Sequence, residues 1–356
     1  MTDWLQSRGT QHGKEIAHRA TYYGDNWPTP LRELDMPHLG RRVYVKDEAA
    51  NVTGTFKDRL TATLVRSISE PTLVGLISYG NTALSLVNRI KTCPDFGQRV
   101  RVLIYVPSDL DSWTLGPTSL GTTVKGTEIL SVLSRHDCVR LLPIPADGAF
   151  LDDAAIERAA RTAFNDRSSP FVNITEGTDT PSYEIIGTEI IDQLGAVPDL
   201  ILTPFGAGML ANETRDLVED PDQRVLALSV GNRNSLARML YGPFWLDVAA
   251  LNQIGYGTTR HSSPDRLGRI RQPYRVHRVD EDQIHEALAR CAKHSVCAEP
   301  SGAVPFTFES SQDLPVDFAR DEPYQTVVLI NTGNSIDYLR RSRGRSGEGF
   351  SPTVAS

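Results

Sequence analysis

The chain has 356 residues, 40% hydrophobic and 23% charged, which favours a globular protein of about two domains. Its 27 Gly and 22 Pro are scattered without period, so collagen-like and low-complexity chains are excluded. Acidic residues outnumber basic ones by 44 to 37, and a net charge of −7 argues against a duplex nucleic-acid binder.

The N-terminal MTDWLQSRGTQHGKEIAHR mixes charges and lacks the apolar run of a secretory leader. No stretch approaches the roughly 18 apolar residues of a membrane span, and the expected compartment is the cytoplasm. Short β-branched runs follow at residues 43–45, 73–78, 100–106, 200–205, 225–230 and 326–331. Several are almost wholly apolar, the pattern of parallel strands buried on both faces. Helical patterns are expected over 58–68, 81–91, 182–194 and 282–293, with a charged amphipathic helix within 146–167. Strand and helix in alternation define an α/β chain with open parallel sheets. The Arg-, Gly- and Ser-rich residues 340–356 read as a solvated, disordered tail. Four cysteines, Cys93, Cys138, Cys291 and Cys297, are too few for a disulfide framework. Cys291 and Cys297 flank His294 but lack convincing further ligands, so they read as core thiols of a helix and no metal site is expected.

In open α/β sheets ligands bind beyond the carboxyl ends of the strands, so four turns matter. VKDEAANVTGTFKDR places Lys57 where a turn becomes a helix, after the small, hydroxylic Thr53, Gly54 and Thr55. In ISYGNTALSL, Ser78, Tyr79, Gly80, Asn81 and Thr82 lie at a helix N-terminus, suited either to an anion or to an Asn-capped helix alone. TPFGAGMLANE sets Gly206 and Gly208 in a third such turn, and LINTGNSID delivers Thr332, Gly333 and Asn334 to a fourth. No G-x-G-x-x-G follows the first strand and no G-x-x-x-x-G-K-[ST] occurs, which excludes dinucleotide-fingerprint and P-loop readings. His136, Asp137 and Cys138 are adjacent and cannot converge as a nucleophilic triad; they read as a loop-to-strand junction.

Taken in order, the blocks PTPL (from Pro28), VKDEAANVTGTFKDR, SYGNTA, EGTDTPSYEI, FGAGML, AEPSGA and NTGNSID cover about 300 residues. Together they resemble the fold-type II pyridoxal-phosphate enzymes, the tryptophan synthase β-subunit class, and within it threonine synthase. The resemblance implies two open, mostly parallel sheets flanked by helices. It implies a cofactor-binding body (1–71 and 165–339), a small mobile domain (72–164) and a homodimer. The implied cofactor is pyridoxal 5′-phosphate, with Lys57 as the Schiff-base lysine and Asn81 bonded to the cofactor's 3′-oxygen. Ser78, Tyr79, Gly80 and Thr82 then receive the substrate carboxylate. Gly206, Ala207, Gly208, Met209 and Leu210 form the phosphate cup, Thr332 meets the pyridine nitrogen and Glu299 lies beside the ring. A neutral hydroxyl at that nitrogen makes the ring a weaker electron sink, favouring elimination and replacement over transamination.

Leu60, Tyr79, Met209 and residues 115–137 depart from the threonine synthase pattern, which bears on the substrate. The expected activity is threonine-synthase-like elimination or replacement at the β- or γ-carbon of an amino acid. A serine or threonine dehydratase, a cysteine-synthase-like β-replacement synthase making a non-standard amino acid, and a non-catalytic binding homologue are the alternatives.

Overall fold

A computed structural model describes residues 27–78, 80–106, 126–144, 152–175, 181–206, 208–230, 276–335 and 338–339. The strands are β1 (Leu31–Leu34), β2 (Gly40–Asp47), β3 (Thr72–Ile77), β4 (Val100–Val106) and β5 (Val139–Pro143), then β6 (Phe171–Asn173), β7 (Leu200–Pro204), β8 (Val225–Val230), β9 (Val276–Val279) and β10 (Tyr324–Asn331). The helices are α1 (Lys57–Ser67), α2 (Asn81–Thr92), α3 (Pro94–Arg99), α4 (Gly126–Leu133) and α5 (Asp153–Phe164), then α6 (Glu184–Leu194), α7 (Met209–Arg215), α8 (Pro221–Arg224), α9 (Glu281–Lys293) and α10 (Pro300–Ala303).

Two sheets form. One has six strands in the order β1-β2-β10-β7-β8-β9, the other four in the order β5-β4-β3-β6. Every pairing is parallel except β1 with β2, so helices must cover both faces. The fully buried runs of β3 and β7 explain why these strands are mostly apolar rather than alternating. The four-stranded sheet takes β6 from residues 171–173, beyond the boundary expected at 164. The helix expected within 146–167 is α5, capped by the Asp152 carboxylate, which accepts from Ala155 N at 2.6 Å. Residues 340–356, expected as a tail, lie outside the described residues. Among the described residues no helix is long and apolar enough to cross a membrane.

Helix α1 ties the two sheets together. Its Leu60 packs with Tyr44, Ile201, Val328 and Ile330 of the six-stranded sheet. Leu64 and Val65, a turn later, pack with Val74, Leu76 and Ile104 of the four-stranded one. Polar bonds then fix its start. The Asp58 carboxylate accepts from Thr53 N (2.8 Å) and Thr53 Oγ1 (2.7 Å), and from the Ser85 hydroxyl on α2. Arg59 is fully buried, donating twice to Glu48 (2.9 and 3.0 Å) and to both oxygens of Glu189 (2.6 and 2.9 Å). Lys46 Nζ completes the cluster, bonding Glu189 at 2.6 Å and the Thr29 carbonyl at 2.8 Å. Two buried cations face two buried carboxylates, so neither charge is left uncompensated. Asp58 and Arg59 thus anchor the helix start directly after Lys57, its first residue.

Candidate active site

Lys57 opens α1 at the carboxyl end of the six-stranded sheet, and two facing glycines fix the turn before it. Gly54 has φ +80° and Gly333 φ +125°, both in the region that favours glycine. A Cβ on Gly333 would lie 2.1 Å from the Gly54 carbonyl oxygen, and one on Gly54 2.2 Å from the Asn334 oxygen. In that closeness Phe56 N donates to the Thr332 carbonyl (3.0 Å) and Asn334 N to the Gly54 carbonyl (2.6 Å). The lysine turn and the Thr332 turn are therefore one locked unit.

Lys57 as a residue is partly exposed, yet its amine end is desolvated. Burial lowers its pKa from 10.5 to about 8, against the opposing attraction of Glu213. Among the described residues its amine donates to the Tyr183 hydroxyl at 3.1 Å and lies 4.5 Å from the Phe56 ring centre. Burial pushes the Tyr183 phenol well above its ordinary range, so it stays neutral. Glu213 of α7 accepts from Tyr183 N (2.5 Å) and Glu184 N (2.8 Å), capping α6 with a carboxylate from another helix. Burial raises the Glu213 pKa to about 7, with those amide bonds opposing.

Across from Lys57, the turn after β3 opens α2. The Asn81 side chain does not cap this helix; Ser78 Oγ does, accepting from Gly80 N (3.2 Å) and Ala83 N (3.1 Å). The Asn81 amide instead donates to Glu299, which precedes α10 on the other sheet's side. Glu299 N donates to the Gly333 carbonyl at 3.2 Å, returning the chain of bonds to the Thr332 turn. Burial raises the Glu299 carboxyl to about 7, opposed by the bonds from Asn81 and Ser301. Thr82 is the second residue of α2, at the edge of burial.

The third turn starts α7 at Gly208, whose φ of +86° lies in the region that favours glycine. Met209 and Leu210 pack with Tyr183 and Leu60, which brings this turn to Lys57. Lys57, Ser78, Gly80, Asn81, Glu299, Thr332 and the turn at Gly206, Gly208, Met209 and Leu210 thus belong to one bonded and packed assembly. Tyr79 and Ala207 lie outside the described residues. Tyr183 and Glu213 were not singled out by the sequence, although Tyr183 lies within the SYEI block. Their positions follow from contacts 126 residues apart (Lys57 to Tyr183) and 30 apart (Tyr183 to Glu213).

Such a fold and such a lysine cleft define a class, and the chain belongs to the pyridoxal-phosphate dependent enzyme family, whose model matches residues 23–333. Pyridoxal 5′-phosphate is therefore its cofactor. The chain is 26% identical over 330 residues to the L-threonine dehydratase biosynthetic IlvA of Mycobacterium leprae (strain TN), covering 88% of this chain and 69% of that protein. Its fold matches maize serine racemase at TM-score 0.62 and 17% identity, over 93% of this chain and 95% of that one. It matches processed threonine deaminase isoform 2 of Solanum lycopersicum at TM-score 0.58 and 16% identity, over 96% and 94%. The likeness carries the pyridoxal-phosphate family expected from the sequence and does not single out threonine synthase within it. The residues present fit the cofactor. A desolvated lysine amine has a neutral partner, and the buried Ser335 hydroxyl on the Thr332 turn has no hydrogen-bond partner among the described residues.

Proposed function

We propose that the protein is a pyridoxal-phosphate dependent dehydratase, eliminating the β-substituent of a hydroxy-amino acid such as serine or threonine. The observation that carries this reading is Lys57, a desolvated amine held by a neutral hydroxyl within a hydroxyl- and amide-rich cleft. The name of the Mycobacterium leprae relative supports dehydration over the threonine-synthase route. In this reading Lys57 carries the cofactor and Asn81 bonds its ring oxygen, with Glu299 fixing the Asn81 amide. Thr332 faces the ring nitrogen. Backbone amides of residues 206–210 take the phosphate.

When bound, the cofactor supplies an electron-accepting ring that acidifies the Cα–H of an attached amino acid. Lys57 Nζ, with a pKa near 8, is a free amine often enough at neutral pH to accept that proton. Ser78 Oγ accepts two amide hydrogen bonds and so keeps its own hydrogen to offer a substrate carboxylate, beside Tyr79, Gly80 and Thr82. The four-stranded unit closes over the cleft and excludes water, and the enzyme works in the cytoplasm as a homodimer. A replacement reaction of threonine-synthase type is the second reading, supported by the TGTFKDR block.

Incubation of the purified enzyme with threonine, serine and phosphohomoserine tests the choice. Release of ammonia and a 2-oxo acid from threonine or serine is expected, with borohydride fixing the cofactor mass on Lys57. Lys57→Ala is expected to lose both signals, with turnover down by about 1,000-fold or more, within the roughly 100- to 10,000-fold range of one acid–base group. Formation of threonine from phosphohomoserine alone would replace dehydration with the second reading.

A further inference from the structure

We propose that Tyr183 is the positioning residue of the catalytic lysine, its hydroxyl holding the Lys57 amine in the orientation needed for proton transfer at Cα. This deepens the dehydratase reading and rests on Lys57 being the base. The bond itself is plain: Lys57 Nζ donates to Tyr183 Oη at 3.1 Å. Its direction has a consequence. An amine that spends one N–H on the phenol oxygen keeps its lone pair pointed elsewhere. That lone pair forms the new N–H bond as the Cα–H bond breaks, and the electron pair left on carbon passes to the ring that activates the substrate.

The partner's chemistry suits the task. A carboxylate in contact would hold the lysine as ammonium and remove the base. Among the described residues the charge that acts on Lys57 is the Glu213 carboxylate, and it is engaged with the backbone amides of Tyr183 and Glu184. Asp58 and Arg59, the chain neighbours, are committed to Thr53 and Ser85 and to Glu48 and Glu189. Among the described residues the amine's hydrogen-bond partner is a hydroxyl that burial keeps protonated. Placement of that hydroxyl is also built in. Glu213 pins the Tyr183 backbone, and the tyrosine ring packs against Phe56 with centroids 4.9 Å apart. A flexible four-carbon arm is thereby restrained at its tip, where proton transfer depends on angstrom-scale geometry.

Tyr183→Phe tests the proposal, since it removes the oxygen and keeps the ring against Phe56. In the cofactor-loaded enzyme, exchange of the Cα proton of serine or threonine with deuterated water is followed by mass spectrometry. Exchange and kcat are expected to fall at least tenfold, with KM changed less than threefold and the visible cofactor absorbance retained. In cofactor-free protein, the pH dependence of Lys57 acylation is measured in parallel. Loss of an acceptor disfavours the ammonium, so its midpoint is expected to move to lower pH in the variant. Unchanged exchange together with an unchanged midpoint would overturn the proposal. So would loss of absorbance in proportion to rate, which would make Tyr183 a cofactor-retention residue. If the wild-type enzyme neither exchanges nor dehydrates either amino acid, the dehydratase reading fails by itself. The acylation midpoint then still decides the role of Tyr183.

Discussion

Glu299 shows how a single buried group can set the pH behaviour of the whole site. Its carboxyl is moved from 4.5 to about 7 because burial penalises the charge more than Asn81 and Ser301 relieve it. A raised acid binds its proton in the folded state over a range where the unfolded chain has lost it. Its contribution is therefore fully present below pH 4.5 and is lost as pH rises through 7. The full difference amounts to about 3 kcal/mol for such a shift. Glu299→Gln keeps an acceptor for Asn81 without a titrating proton. Urea midpoints of the cofactor-free protein at pH 5.5 and 8 are expected to differ less in the variant than in wild type, with the variant the more stable at pH 8. An identical pH slope in both proteins would contradict the assignment. Glu299 was legible only through the family-like AEPSGA block, and its bond to Asn81 joins residues 218 apart. Asn81 shows the same limit. As a residue type it suggests a helix cap, but Ser78 fills that role and frees the amide to cross the cleft. Tyr183 and Glu213 carry no local pattern, since one acts through a hydroxyl and the other through backbone amides of a different helix.

Elements were legible where burial is two-sided. Strands β3, β4, β7, β8 and β10 announce themselves as apolar runs because both faces of each are covered. By contrast β1, β5, β6 and β9 have 4, 5, 3 and 4 residues with mixed burial, so neither an apolar run nor a clear period marks them. The TGTFKDR block gains a physical meaning as an element. Thr53 and Asp58 brace the turn, Arg59 anchors the helix in a closed ionic cluster, and Gly54 admits the Thr332 turn. Gly333 should be the less replaceable glycine of the pair, since its Cβ would meet the backbone of the Gly54–Thr55 segment at 2.1 and 2.7 Å. Gly333→Ala is expected to destabilise by more than about 3 kcal/mol and to impair cofactor retention, because steric strain adds to the left-handed penalty. Gly195→Ala is the control: its φ is +71° but nothing lies within 4 Å, so about 1 kcal/mol is expected. Thermal melts of both variants, read with the cofactor absorbance, check the contrast; equal losses would mean that the Gly54–Gly333 contact is not what orders the turn.

At the scale of the molecule, the question is whether the two sheets are separate folding units or one. The sequence suggests two domains, and two sheets do form, but shared elements cross between them. Helix α1 contributes Leu60 to one core and Leu64 and Val65 to the other. After β10 ends in the six-stranded sheet at Asn331, the chain passes the Thr332 turn and buries Leu339 in the core of the four-stranded one. Unfolding the smaller sheet alone would strip α1 of half its packing and release the segment that holds Thr332 in place. Leu339→Ala removes a side chain that is 1% exposed and is expected to cost about 2–5 kcal/mol. If α1 couples the cores, native-state hydrogen exchange will show the same loss of protection at Val74–Leu76 in β3 and at Val328–Ile330 in β10. Loss confined to β3 would mean that the four-stranded unit opens by itself, through local unfolding that α1 does not transmit.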